Sequence, residues 1–183
     1  MTKKVLAVAL FVLLAFALVW AGDNKKGTTD AAKMEMMKAE MMKCAVCKNM
    51  AMNMDATGPT GMEAVKLNDG LAMRHWVKNT DAKKIAAFHT ACDATSKAGE
   101  ACMTMTDAQA KTDLCQFCQD MRSAMKAGAH MSKGQTKNGS MMVLTSSDPA
   151  VQTQLSSLHE QCMMWEASMA TPATDTKTTA KKY

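Results

Sequence analysis

Two CxxC pairs, each followed about forty residues later by an HxxC pair, constrain this chain more than any other feature. Cys44 and Cys47 ("CAVC") precede His89 and Cys92 ("HTAC"), and Cys115 and Cys118 ("CQFC") precede His159 and Cys162 ("HEQC"). The offset between the two sets is 71 residues for the CxxC pairs and 70 for the HxxC pairs. Repetition at this period marks two supersecondary units that complete a common core.

Each unit reads as helix, β-hairpin, helix. In the second, "AHMSKGQTK" and "SMMVLTS" flank Asn138-Gly139, and in the first, "MEAVKLN" and "LAMRHWV" flank Asp69-Gly70. Short apolar runs around such a pair are a hairpin signal, because Asn, Asp and Gly tolerate positive φ. The later helices start at Asp81 and at Asp148-Pro149. Val151, Leu155, Leu158, Cys162, Trp165 and Met169 form an apolar stripe, which Ile85, Phe88 and Cys92 repeat in part. Cys92 and Cys162 are therefore predicted to face inward, with His89 and His159 on the edges of the same stripes. The earlier helices start at Thr29-Asp30 and Thr106-Asp107, and no Gly or Pro stops them before either CxxC, so both cysteine pairs are predicted to lie within helices. Thr112-Asp113 is a second possible start just ahead of Cys115.

The fold class predicted is α+β: a tandem duplication of a helix–β-hairpin–helix unit, with the helices packed on a four-stranded antiparallel sheet. Repeat 1 spans residues 34–101 and repeat 2 spans 102–170. Residues 22–33 and 171–183 are polar, lysine-rich tails. Ahead of them, two lysines, an apolar run from Val5 to Trp20 and the small residues Ala21 and Gly22 read as a secretory signal peptide over 1–21. The expected location is periplasmic or secreted, with no stable membrane insertion once the signal is cleaved. Without Lys3 and Lys4 the chain carries 20 basic against 17 acidic side chains, and the lysines are scattered. That balance supports no nucleic-acid surface.

Seven cysteines in an exported chain suggest disulfides, but the count is odd and bridges give the repeated histidines no role. Helices that each offer two soft ligands from one face can surround a tetrahedral ion. Cys44, Cys47, His89 and Cys92 would make one Cys3His site and Cys115, Cys118, His159 and Cys162 the other. Zn2+ suits three thiolates and an imidazole, and Cu(I) is the alternative, as cargo rather than as a structural ion. Buried Cys and His also serve as ordinary core residues, although packing alone would accept Ala, Val or Leu in one copy. The alternative function is an extracytoplasmic thiol-disulfide redox protein that uses the CxxC pairs. Neither CxxC is followed by His, which excludes the c-type haem signature.

Eight methionines crowd residues 34–54 around the first CxxC, where they can bind Cu(I) or simply fill helices as flexible apolar side chains. His75 and His130 have no counterpart in the repeat and read as surface residues. Cys102 sits on the connector between copies. No Ser/His/Asp order, phosphate-binding loop or paired-carboxylate pattern stands out, so the sequence reads as a binding protein rather than an enzyme.

Overall fold

Capping residues and close-approach glycines set the element boundaries in the structure, a computed structural model that describes residues 30–169. In chain order the elements are α1 (Asp30–Met42), α2 (Lys48–Ala51), α3 (Met54–Thr57), β1 (Thr60–Leu67), β2 (Gly70–Val77), α4 (Ala82–Cys102), α5 (Asp107–Asp113), α6 (Gln116–Lys126), β3 (His130–Thr136), β4 (Gly139–Thr145) and α7 (Pro149–Met169). Of the described residues, 38–169 belong to one compact unit, which holds the sheet and all seven cysteines. The expected signal peptide and tails lie outside the described residues, except that residues 30–33, placed in the N-terminal tail, form the start of α1.

Three of the expected caps are in place, Thr29 lies outside the described residues, and Thr112-Asp113 ends a helix instead of starting one. The Asp81 carboxylate accepts the Lys83 N–H at 2.8 Å at the start of α4, and Asp148 accepts the Ala150 N–H at 2.8 Å at the start of α7. Thr106 opens α5 with a reciprocal capping box: its hydroxyl accepts the Gln109 N–H at 3.2 Å, and the Gln109 side chain accepts the Thr106 N–H at 2.9 Å.

The fold is α+β. Both hairpins join one antiparallel sheet in the order β1-β2-β4-β3, with the seam between β2 and β4. The helices sit crosswise: α7, which follows the second hairpin, lies along β1 and β2, while α4, which follows the first, reaches β4 and β2. Leu71 and Leu144 face each other across the seam, and with Val151, Leu155, Leu158 and Cys162 of α7 they are fully or almost fully buried. Apolar burial of this kind contributes about 1.5–3 kcal/mol per large side chain.

The hairpin turns fall one residue earlier than expected, on Asn68-Asp69 and Lys137-Asn138, because Gly70 and Gly139 already begin strands. Among the described residues, no non-glycine has positive φ, so neither turn uses the left-handed geometry. The glycines are needed for the seam instead. A Cβ on Gly70 would lie 1.9 Å from the Leu144 carbonyl oxygen, and one on Gly139 would lie 2.2 Å from that of His75.

His75 is not the surface residue expected. It lies on the covered face of β2, edge-on to Phe88 with ring centroids 4.9 Å apart, and burial pushes its pKa down from 6.5 to about 4. The unfolded chain therefore binds a proton more readily than the folded one between these values. The stabilising contribution is complete above pH 6.5 and is lost as pH falls toward 4. His75→Leu is expected to remove a loss on the order of 3 kcal/mol across that window. Denaturant unfolding of both proteins at pH 7 and pH 4 measures the difference, and parallel losses in the two would refute it.

Candidate metal centre

Helix α1 ends at Met42, and the chain turns so that the Lys48 N–H reaches back to the Cys44 carbonyl at 3.0 Å. Cys44 and Cys47 are carried on this turn, just ahead of α2. The second pair repeats the arrangement, with the Gln119 N–H donating to the Cys115 carbonyl at 3.0 Å. There the break comes from Leu114 and Cys115, whose extended backbones end α5 and make Cys115 the N-cap of α6. The expectation that both CxxC pairs lie inside continuous helices is thus corrected: each occupies a break between helices, and only Cys118 lies in a helix, in the first turn of α6. The Ala45 N–H donates to the Asp113 carbonyl at 2.8 Å, tying one turn to the other.

That tie brings all four sulfurs together. Cys47 Sγ is 3.5 Å from Cys118 Sγ and 3.8 Å from Cys115 Sγ, and the four Sγ atoms of Cys44, Cys47, Cys115 and Cys118 lie within 4.8 Å of one another. A tetrahedral ion with metal–sulfur bonds of about 2.3 Å requires sulfurs about 3.8 Å apart. A disulfide requires about 2.05 Å. Cys44 is 1% exposed and Cys118 7%, while Cys47 and Cys115 are half-buried, so the cluster has a deep edge and an open one. Val46, Leu114 and Phe117 line it with apolar surface, and the Trp165 ring lies 4.7 Å from that of Phe117.

The thiols share their protons as a set. Hydrogen bonding from Cys115, then from Cys118 and Cys47, holds Cys44 well below the usual thiol range. Cys115 is lowered to about 7, chiefly by its hydrogen bond with Cys118. Cys47 and Cys118 are raised, each most strongly by hydrogen bonding with Cys115. The amide dipoles at the start of α6 also favour negative charge on Cys115 and Cys118. A four-sulfur group of this size and charge can hold a metal ion.

The other four expected ligands lie elsewhere, and the two Cys3His sets are replaced by this grouping. His89 Nε2 is 3.1 Å from the Gly139 carbonyl oxygen, to which it donates, and Cys92 Sγ lies 3.5 Å from Ser140 Oγ. Cys162 is fully buried with its Sγ 3.0 Å from Met73 Sδ, and burial pushes its thiol up to about 11. His159 is half-buried on α7. Among the described residues, the four-cysteine group is the only set of three or more His, Cys, Asp or Glu ligand atoms this close together. The physical reason is the packing on the sheet: His89 and Cys92 of α4 meet Gly139 and Ser140 of β4, and Cys162 of α7 meets Met73 of β2. The sequence signal that could have suggested a joint set of four cysteines is the presence of two CxxC pairs, the two-plus-two arrangement of many zinc sites, although nothing local shows that the two meet. No protein-family model, curated protein or solved structure matches the chain.

Proposed function

We propose that this is an exported metal-binding protein with one four-cysteine centre, formed by Cys44, Cys47, Cys115 and Cys118, and that its metal is zinc. The observation supporting this is the convergence of four sulfurs, two from each half of the chain, at spacings a tetrahedral thiolate site requires. Four protein ligands leave no position for a reacting water, so the ion is structural rather than catalytic. Duplication of one helix, hairpin, helix unit accounts for the matching half-sites. Cu(I), as cargo, is the alternative ion. A second reading, thiol-disulfide exchange, is favoured by one observation: Cys115 begins a helix within a CxxC and its thiol is lowered to about 7.

Metal analysis and thiol titration of protein purified from the exported fraction without reductant or chelator separate these readings. The expected result is about one zinc per chain, lost in Cys44→Ser and Cys118→Ser and retained in His89→Ala and His159→Ala. Stoichiometric copper would assign Cu(I) instead. Metal-free protein that reversibly gains and loses thiols in pairs would establish the redox reading.

A further inference from the structure

Among the described residues, the sheet has one covered face and one open one. Both helices that pack on it, α4 and α7, lie on the face of Ala64, Leu71, Met73, His75, Met142 and Leu144, as the Phe88–His75 and Cys162–Met73 contacts show. Alternation along the strands and the pairing register put Glu63 and Val65 of β1, Ala72, Arg74 and Trp76 of β2, and Met141 and Val143 of β4 on the opposite face. Val65 is 48% exposed and Met141 43%. His130, Ser132, Gly134 and Thr136 of β3 complete this face, and the last three, with small side chains, form a shallow depression beside Met141 and Val143. Trp76 lies flat over Gly61, where any Cβ would collide with its ring.

We infer that this open face is the contact surface of a homodimer, in which it docks on the same face of a second copy. Two-fold association requires a self-complementary surface, and the charges here satisfy that condition. Glu63 and Arg74 are the only Asp, Glu, Lys or Arg side chains on this face, and they stand opposite each other in the β1–β2 register. Neither takes part in an ion pair among those recorded for the described residues. Arg74 instead stacks over Trp76, 5.0 Å from the ring centroid. A two-fold axis sets the Glu63 carboxylate of one copy against the Arg74 guanidinium of the other and covers the surrounding apolar side chains. Nucleic acid and anionic lipid both require an excess of basic side chains, which one acid and one base do not supply. An apolar field with a single balanced charge pair matches a copy of itself.

Sedimentation of the full chain over a dilution series tests this. The expected result is a dimer that dissociates on dilution. Val65→Glu and Met141→Glu, both at exposed positions, are each expected to raise the dissociation constant about tenfold or more. Glu63→Arg and Arg74→Glu are each expected to weaken the dimer, and the double exchange to restore it. Circular dichroism confirms that each variant is folded. A monomer at every concentration overturns the inference, and so does a dimer unaffected by both Val65→Glu and Met141→Glu.

Discussion

Chelating the ion from the four-cysteine centre, or replacing Cys118 with serine, is expected to lower the thermal midpoint by about 20 °C or more. A structural zinc contributes on the order of 10 kcal/mol to folding. For a domain of this size each kcal/mol moves the midpoint by about 2–4 °C. A bound ion would join two turns that are far apart in sequence, which are held to each other by the Ala45–Asp113 backbone hydrogen bond and the contacts among the thiols themselves. In its absence four sulfurs within 4.8 Å cannot all ionise, and the lining of Val46, Leu114 and Phe117 offers no compensating polar group. Disulfides across the same positions would add about 2–4 kcal/mol each and would respond to reductant rather than chelator. Calorimetry of the purified protein, with and without chelator and with and without reductant, therefore distinguishes the two by size and by reagent. Chelator should have no further effect on Cys118→Ser. A midpoint that falls only with reductant would refute the metal centre.

The sequence carried the α+β class clearly because its signals are local. Alternation around Asn-Asp-Gly and Asn-Gly, the caps at Asp81, Thr106 and Asp148, and the Val151–Cys162 stripe each report on neighbours in the chain. The site was less legible because a stripe shows which side of a helix is apolar and not what covers it. Cys92 and Cys162 do face inward, but inward means the strands, where they meet Ser140 and Met73. Grouping ligands within a repeat assumed that each unit closes on itself. The crosswise seating of α4 and α7 and the meeting of the two CxxC turns are tertiary facts with no local signature. The turn glycines failed for a similar reason. Gly70 and Gly139 are adjacent to turn residues, but their lack of a side chain is used by the strand across the seam.

Arg122→Met is expected to destabilise the fold by about 1–3 kcal/mol, the cost of taking a charged donor away from buried carbonyl acceptors. Arg122 is 7% exposed, one helical turn beyond Cys118 on α6, and its guanidinium gathers the connector between α4 and α5. Its Nε donates to the Cys102 carbonyl at 3.0 Å, its Nη2 donates to the Met105 carbonyl, and its Nη1 donates to Asp107 at 2.8 Å. The Asp107 carboxylate is exposed and also accepts from Lys126 at 3.1 Å, so that ion pair is screened by solvent and adds little. The carbonyl contacts matter more, because methionine fills the volume but takes the charged donor from the Met105 oxygen and leaves the Cys102 oxygen with only the Met105 N–H at 3.2 Å. Asp107→Asn should therefore be much milder than Arg122→Met, and the cost of Arg122→Met should change little between low and high salt. Arg122→Lys retains the charge but cannot reach three acceptors with one ammonium group, so it should recover only part of the loss. Urea unfolding of the three variants at two ionic strengths measures this ordering. Equal losses for Asp107→Asn and Arg122→Met would show that the ion pair, rather than the carbonyl contacts, carries the stabilisation.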